Sequence, residues 1–332
     1  MQNNPLLISI IIPCRNEERY IGKCLDSIIS QDYHKEKTEV LVIDGMSQDG
    51  TRKIVGDYVK KYSFIKILDN QNRFTPFGLN IGIKAAKGEI IVRMDAHADY
   101  EKDYISKCVE NLIKYNVDNV GGVIKTLSKE NTLIAEAIAA CLSSFFGAGS
   151  SYFRTGSKKP REVDTVFGGC YKKEVFDKIG LFNEKMIRSQ DFEFNLRLKK
   201  SGGKILLIPD IVAYYYPQPT FEGFWRHNFE DGIWAILPLK IAKIQFNLRH
   251  YIPFFFVLSF FLTLIFGLFF FPARVLFNII FVGYLILNLI FSLEVAFKKG
   301  FKYFFVMPIV FAYRHFGYGL GSIWGLFKMI LN

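Results

Sequence analysis

Residues 88–99, GEIIVRMDAHAD, pass from a short apolar segment directly into two aspartates and a histidine. Residues 88–92 contain the β-branched run that is typical of a strand buried on both faces. The acidic residues that follow would therefore lie where this strand ends. In parallel sheets, ligands bind outside the carboxyl ends of the strands, so this segment is the first candidate for a functional site.

Three earlier segments of the chain repeat the same arrangement, and helical patterns separate them. Strands are predicted over residues 6–12, 40–43, 65–68 and 88–92, with helices over 17–30, 51–61 and 77–86. This alternation predicts an α/β fold, with a mostly parallel sheet and helices on both faces. Neither a GxGxxG fingerprint nor a Walker phosphate loop follows these strands. An acidic rim of this kind needs a divalent cation to hold a diphosphate.

The last quarter of the 332-residue chain differs from the rest in composition. Residues 249–332 hold 19 of the 34 phenylalanines, with seven basic residues and one acid, and so supply +6 of the net charge of +11. Uncharged apolar runs predict a transmembrane hairpin over residues 251–271 and 275–293, since each could cross about 30 Å of hydrocarbon. Residues 303–327 form a third segment, which either spans the membrane or lies along its surface.

Basic residues lie on both outer sides of the predicted hairpin, which places these ends and the N-terminal domain in the cytoplasm. The positive charge therefore follows membrane boundaries, and this pattern argues against nucleic acid as a partner. Five cysteines without a CxxC pair are typical of free thiols in a reducing compartment. We expect a multi-pass protein of the cell membrane with a cytoplasmic catalytic domain.

Three stretches of the first half resemble the nucleotide-sugar half of family 2 glycosyltransferases, which have the GT-A fold: SIIIPCRNEERYIGKCLDSIISQDY, VLVIDGMSQDGT and LNIGIKAAKGEIIVRMDAHAD. Two later stretches, GGCYKKEVFDKIGLFNE and SQDFEFNLRL, resemble the acceptor half of that family. The segment DAHAD and the apolar hairpin are most similar to bacterial exopolysaccharide enzymes of the succinoglycan type. The resemblance implies a GT-A domain over residues 1–235, with its donor half over about 1–120 and its acceptor half over about 121–235. A membrane domain would follow over 236–332.

The resemblance also implies which residues contact the donor: Pro13, Arg15, Glu17, Asp44, Arg73, Asn80 and Asp95. Asp44 would accept a hydrogen bond from a uracil ring, although its position also suits a turn over residues 47–50. Glu17 would hold the ribose, or would carry a charge that the helix dipole favours.

Metal and catalytic roles follow from the same resemblance. Asp95 and His97 would hold Mg²⁺ or Mn²⁺, and an imidazole in place of the second acid favours Mn²⁺. Asp99 could complete the metal site or contact the acceptor. Asp191 would be the general base, with a helix N-cap as its alternative role and Glu193 as the alternative base. Further acceptor contacts are expected from three residues: Gly169, Arg226 and His227.

The sequence thus predicts an inverting, metal-dependent glycosyltransferase on the cytoplasmic face of a bacterial membrane. It would move one sugar from a nucleotide-diphosphate sugar, UDP-linked by expectation, to a lipid-linked polyprenyl acceptor. Two alternatives stay open at this point. The acceptor could be a polyprenyl phosphate itself, or the chain could be a non-catalytic membrane subunit that binds nucleotide sugars.

Overall fold

The computed structural model describes residues 5–128 and 130–331, and these form two compact units. The first unit contains the described residues up to Lys125 and the segment Gly156–Tyr215. The second unit contains the segment Thr126–Thr155 and the described residues from Tyr216 onward. The predicted boundary at residue 235 therefore falls inside the second unit, which also includes a segment from the middle of the chain.

The strands of the described residues belong to one sheet of nine. They are β1 (Ile8–Cys14), β2 (Thr38–Asp44), β3 (Ile65–Asp69), β4 (Ile90–Arg93), β5 (Ala98–Tyr100), β6 (Asn119–Thr126), β7 (Arg161–Glu162), β8 (Cys170–Lys172) and β9 (Ile205–Tyr215).

The α-helices of the described residues range from single turns to 29 residues. They are α1 (Ile21–Ile29), α2 (Thr51–Lys61), α3 (Thr75–Ala85), α4 (Tyr104–Lys114), α5 (Leu133–Ser143), α6 (Phe145–Ala148), α7 (Tyr152–Thr155), α8 (Glu174–Ile179), α9 (Gln190–Lys200), α10 (Phe221–Ile236), α11 (Pro238–Ile241), α12 (Ile252–Phe266), α13 (Phe271–Lys299) and α14 (Tyr303–Leu331).

The sheet has the strand order β3-β2-β1-β4-β8-β6-β9-β5, and β7 pairs with β9. The pairs among β1 to β4 are parallel, as the alternation of strands and helices predicts. In the rest of the sheet, β8 runs antiparallel to β4 and β6, while β5 and β7 run antiparallel to β9. The predicted α/β class is confirmed, but the mostly parallel arrangement holds only for the first four strands.

Strands β1 and β2 form a buried part of the sheet, and the register aligns their ends with that of β3. Both strands are buried along almost their whole length, because helices cover the sheet on its two faces. Helix α3 approaches β1 closely at Gly82, where a Cβ atom would lie 2.5 Å from the side chain of Ile11. The register pairs Cys14 with Asp44, and Asp44 with Asp69, so these three strands end side by side.

The helices of the second unit differ from the predicted membrane segments. Among the described residues, α13 is the one helix that is long and apolar enough to cross a membrane, by length and composition. The span predicted over residues 251–271 is too long, since α12 has 15 residues and would extend about 22 Å. The span predicted over 275–293 extends in both directions to become α13.

Polar residues in the predicted third segment do not interrupt the helix, because they bond to other parts of the second unit. Arg314 Nε donates to the carbonyl oxygen of Gly147 at 3.0 Å, and Arg314 Nη1 donates to Asn228 Oδ1. His315 Nε2 lies 2.8 Å from the carbonyl oxygen of Phe146. Helix α14 therefore continues unbroken from Tyr303 to Leu331, beyond the predicted end at residue 327.

Glycines allow α14 to lie directly against α10. A Cβ atom at Gly321 would come within 2.0 Å of the carbonyl oxygen of Phe229. A Cβ atom at Gly232 would likewise come within 2.0 Å of the carbonyl oxygen of Tyr318. Small residues at such positions let two helix backbones approach each other closely, as they do in membrane helix pairs.

We expect Gly321→Ala to destabilise the second unit, because the added methyl group fits only if α10 and α14 separate. Overpacking of this kind costs about 1–3 kcal/mol, which a fall in the thermal midpoint of the detergent-purified chain would report. The matched control is Gly283→Ala in α13, where no atom lies within 4 Å of the new methyl group. Equal midpoints for the two variants would contradict this account of helix packing.

Candidate functional site

Two loops at the carboxyl edge of the sheet are joined by reciprocal hydrogen bonds. The backbone N–H of Asn16 donates to Ser47 Oγ at 2.9 Å, and that of Gln48 donates to Asn16 Oδ1 at the same distance. The Glu17 N–H donates to Thr51 Oγ1 at 2.7 Å. The loops after β1 and β2 therefore form one fixed rim.

The carboxylate of Asp44 is fully buried within this rim. The Ser47 N–H donates to Oδ2 at 3.1 Å, which is the turn contact that the sequence left as the alternative role. Arg52 Nη1 donates to the same oxygen at 2.6 Å and to Asp69 Oδ1 at 2.7 Å. Asp44 therefore makes the turn contact, and its predicted hydrogen bond to a uracil ring stays a prediction.

The backbone of Arg73 and the side chain of Arg15, two predicted donor contacts, both lie near Gly45. A Cβ atom at Gly45 would lie 3.0 Å from the carbonyl oxygen of Arg73 and 3.2 Å from Arg15 Cβ. Both arginines are exposed, and Arg73 has a positive φ of 67°. Strained backbone of this kind often lies at functional sites. Two exposed cations at this edge could face the phosphates of a donor.

Asn80 is buried and its amide bonds within the fold, so its predicted donor contact stays a prediction. Its Nδ2 donates to the Phe182 carbonyl at 2.9 Å and to Glu184 Oε1 at 3.0 Å, while its Oδ1 accepts from the Phe182 N–H. The buried amide therefore joins α3 to the segment after α8. Pro13 lies half-buried at the end of β1, against Gly78 of α3.

Arg93 brings Asp95 and Asp191 together at the end of β4. Its side chain is only 8% exposed, and Nη2 donates to Asp95 Oδ1 at 2.9 Å. Nη1 is in ionic contact with Asp191 Oδ1. Burial alone would lower the pKa of Arg93, but the two carboxylates raise it, so the guanidinium stays charged. Two acids that are 96 positions apart in sequence thus share one buried cation.

Asp191 is not the N-cap residue of α9, which was its alternative role. Ser189 occupies the N-cap position of α9, with φ of 59°. The Asp191 side chain is 27% exposed and contacts Arg93. Burial raises its pKa, and the charge of Arg93 offsets only part of that rise, so the pKa stays above its ordinary value. A higher pKa makes the carboxylate a better proton acceptor near neutral pH.

Glu193, the alternative base, is held in a structural ion pair. Its Oε1 accepts from Arg197 Nε at 2.6 Å, and its Oε2 accepts from Arg197 Nη2 at 2.9 Å. Arg197 also donates to the carbonyl oxygens of Ile179 and Leu181. Glu193 is buried and has both oxygens occupied, so it is not available to an acceptor.

His97 is in contact with Glu17. His97 Nδ1 is 3.2 Å from Glu17 Oε1, and its ring meets the edge of the Tyr215 ring at 6.0 Å between centroids. Burial alone would lower the pKa of His97, but Glu17 and Asp95 raise it above its ordinary value. Glu17 therefore orients the imidazole, a role that the sequence did not indicate.

Asp99 and Gly169 have roles in the framework of the site. The Asp99 carboxylate, on β5, forms an ion pair with Lys23 of α1. Gly169 has φ of 111°, and its carbonyl oxygen accepts from the Arg93 N–H at 2.9 Å. The structure therefore favours a supporting role for both residues; their predicted acceptor contacts stay predictions.

Arg226 and His227 belong to α10 in the second unit. Arg226 Nη2 lies 3.3 Å from Glu222, and His227 Nε2 lies 3.4 Å from Asp231. Each basic residue is thus beside an acid one helical turn away. Their contact with an acceptor stays a prediction.

Asp95 and His97, the residues predicted to hold a divalent cation, each keep one side-chain atom outside their contacts with Arg93 and Glu17. No group of three or more His, Cys, Asp or Glu side chains arranged to hold a metal occurs in the part of the chain that is described. Asp95 bonds to Arg93 through Oδ1, and His97 faces Glu17 through Nδ1, which leaves Oδ2 and Nε2 for a ligand. Cations on nucleotide phosphates commonly take only one or two protein ligands. A carboxylate on the far nitrogen is typical of metal-binding histidines.

A family model described as glycosyl transferase family 2 matches residues 9–180. The chain belongs to this family. A relative from Methanococcus voltae is 33% identical over 329 residues, which is 97% of this chain and 97% of that protein. It is named dolichyl N-acetyl-alpha-D-glucosaminyl phosphate 3-beta-D-2,3-diacetamido-2,3-dideoxy-beta-D-glucuronosyltransferase. The predicted family is therefore confirmed.

Two further comparisons extend this assignment. The succinoglycan biosynthesis protein ExoA of Rhizobium meliloti (strain 1021) is 27% identical over 255 residues, covering 72% of this chain and 76% of that protein. The mannosyltransferase PcManGT from Pyrobaculum calidifontis, solved with GDP-Man and Mn²⁺, matches with a TM-score of 0.63 at 18% identity. That match covers 97% of this chain and 88% of PcManGT, and it shows the GT-A fold.

Three residues of the glycosyltransferase site are not among those that the sequence indicated: Arg93, Arg52 and Lys23. Each pairs with an acid that the motifs did indicate. Arg93 alone carries a signal in the sequence, since it ends a buried β-branched strand, where a charge is costly unless it is paired. The partners of Arg52 and Lys23 depend on how loops and helices pack.

Proposed function

We propose that this chain is an inverting glycosyltransferase that transfers one sugar from a nucleoside diphosphate to a lipid-linked saccharide. The Methanococcus voltae relative, whose name specifies a dolichyl sugar phosphate acceptor, supports this acceptor class because the similarity extends over both full lengths. UDP-linked sugars are the first donor class to test. An association with the membrane is supported by α13, a helix that is long and apolar enough to cross a membrane by length and composition.

The observation that carries the proposal is the shared contact of Asp95 and Asp191 with Arg93. Family resemblance assigns Asp95 to the donor diphosphate and Asp191 to the acceptor hydroxyl. A displacement at the anomeric carbon requires both groups on opposite sides of one sugar. A single guanidinium contacts both carboxylates, so the two acids lie in one site, as this reaction requires.

In the proposed reaction, Asp191 accepts the proton of the acceptor hydroxyl as its oxygen attacks the anomeric carbon. The bond from that carbon to the diphosphate oxygen breaks, and the nucleoside diphosphate leaves with the electron pair. A single displacement inverts the anomeric configuration. The raised pKa of Asp191 suits this transfer, because the base keeps the proton that it has taken.

Asp95 and His97 would hold the divalent cation that these enzymes use, which when bound supplies positive charge for the leaving diphosphate. Glu17 would keep the His97 ring oriented through Nδ1. Arg15 and Arg73 would add positive charge at the same edge from their exposed positions.

The intact Asp191 favours a hydroxyl acceptor over a lipid phosphate. A phosphate oxygen is already ionised at neutral pH and needs little help from a base, whereas a hydroxyl must lose its proton.

We expect Asp191→Asn to slow transfer by about 100-fold or more, since the amide cannot accept the proton. Affinity for UDP in MnCl2, measured by calorimetry, should stay close to that of the wild type because Asp191 lies on the acceptor side. Asp177→Asn, an exposed acid on α8, is the matched control and should transfer normally. Unchanged turnover in Asp191→Asn would rule out this base and would favour a lipid phosphate acceptor.

We expect His97→Asp to raise the transfer rate with MgCl2 relative to MnCl2, because it restores the all-oxygen shell that Mg²⁺ prefers. Paramagnetic resonance titration should show weaker Mn²⁺ binding to the same variant in the presence of UDP. His34→Asp, an exposed histidine, is the control and should change neither quantity. A rate ratio and Mn²⁺ affinity that do not differ from the wild type would exclude His97 as a ligand.

A further inference from the structure

Among the described residues, Arg93 is the one lysine or arginine that is buried. Such a cation is costly to bury unless ion pairs compensate it, and one carboxylate would suffice for its charge. Arg93 instead contacts two carboxylates, through two different nitrogens of its planar fork. The second contact is therefore not needed to balance the charge. It does, however, hold Asp95 and Asp191 next to the same guanidinium.

The backbone on the Arg93 side of this contact is firmly anchored. Strand β4 lies between β1 and β8, and the Arg93 N–H donates to the Gly169 carbonyl oxygen at 2.9 Å. A Cβ atom at Gly168 would lie 2.7 Å from the Arg93 carbonyl oxygen, and Gly168 has φ of 67°. The close approach of this segment leaves Arg93 little freedom to move.

The Asp191 side of the contact is anchored by the next turn of α9. Asn195 is fully buried, and its Oδ1 accepts from Asn119 Nδ2 at 3.1 Å. Its Nδ2 donates to Thr165 Oγ1 at 3.0 Å. These hydrogen bonds fix the first turns of α9 to the rest of the first unit. The Asp191 carboxylate, one turn before Asn195, is in contact with Arg93.

We propose that Arg93 is a positioning residue that fixes the orientation of the general base Asp191 relative to the donor side of the site at Asp95. The inference rests on the proposed function, because it needs Asp191 to act as the base. A guanidinium can hold both acids at once in a fixed geometry. An ammonium at the same place keeps the charge but is a point donor on a flexible stem, and it cannot hold both acids in that geometry.

This difference between charge and geometry separates the proposal from a purely structural role. If Arg93 only neutralises buried acids, Arg93→Lys keeps the necessary charge and should behave like the wild type. If Arg93 positions the base, Arg93→Lys should fold and bind the donor but transfer slowly. Misplacement of a catalytic group by 1 Å can slow a reaction by about 100-fold, and we expect a loss of kcat of that order.

The experiment compares Arg93→Lys and Arg93→Met with the wild type for three quantities: kcat for transfer, affinity for UDP in MnCl2, and thermal midpoint. The positioning role predicts a large fall in kcat for both variants with UDP affinity unchanged in Arg93→Lys. Arg197→Lys is the matched control, since it loosens the buried pair with Glu193 on the same helix without touching Asp191. It should lower the thermal midpoint and leave kcat unchanged.

A double variant adds a readout that a merely structural residue would not change. Arg93→Lys combined with Asp191→Asn should transfer no more slowly than Asp191→Asn alone, because there is no longer a base to position. Losses that multiply in the double variant, or a wild-type kcat in Arg93→Lys, would overturn the inference.

Failure of the proposed function gives a different result. In that case the wild-type chain transfers no sugar from a panel of UDP-sugars to a lipid extract. Crystal structures of the wild type and Arg93→Lys then decide the inference. It requires the Asp191 carboxylate to shift by about 1 Å or to turn away from Asp95 in the variant. An unmoved carboxylate would contradict it.

Discussion

The site depends on one buried cation that is shared by two acids. A charged side chain inside a protein is tolerated only where opposite charges and hydrogen bonds replace the lost water. Arg93 meets this requirement through Asp95, two residues along the chain, and Asp191, on a helix from the later half of the first unit. The antiparallel strands that follow β4 are what bring that helix to the edge of the sheet. The placement of the two acids in the proposed mechanism therefore follows from the need to compensate the buried charge of Arg93.

Much of the fold could be predicted because its signals are local. Strands buried on both faces leave β-branched runs, and the helices between them leave an apolar period, so β1 to β4 were readable. The orientation of the later strands was not, because β7 and β8 have two or three residues and little pattern. The bounds of the apolar helices differ from the predicted membrane segments for a similar reason. Apolar length alone does not show where α12 ends, or that Arg314 and His315 bond within their own unit.

The site itself was predictable only in part. Motif resemblance indicated Asp95, His97 and Asp191, since short segments carry these residues. It could not identify their partners, because Glu17 with His97 and Lys23 with Asp99 join distant segments. Asn80 shows the same limit: its position in a motif suggested a donor contact, whereas in the structure its amide bonds to Phe182 and Glu184. Side-chain partners are decided by packing, which a linear pattern does not record.

The most direct test of this account is a crystal structure of the chain with UDP and MnCl2. We expect the diphosphate beside Asp95 and His97, with Arg93 still in contact with both Asp95 and Asp191. Asp191 should face the side from which an acceptor hydroxyl would reach the anomeric carbon of a donor sugar. A diphosphate bound away from Asp95, or an Asp191 that has left Arg93 and points away from the donor, would contradict the central claim.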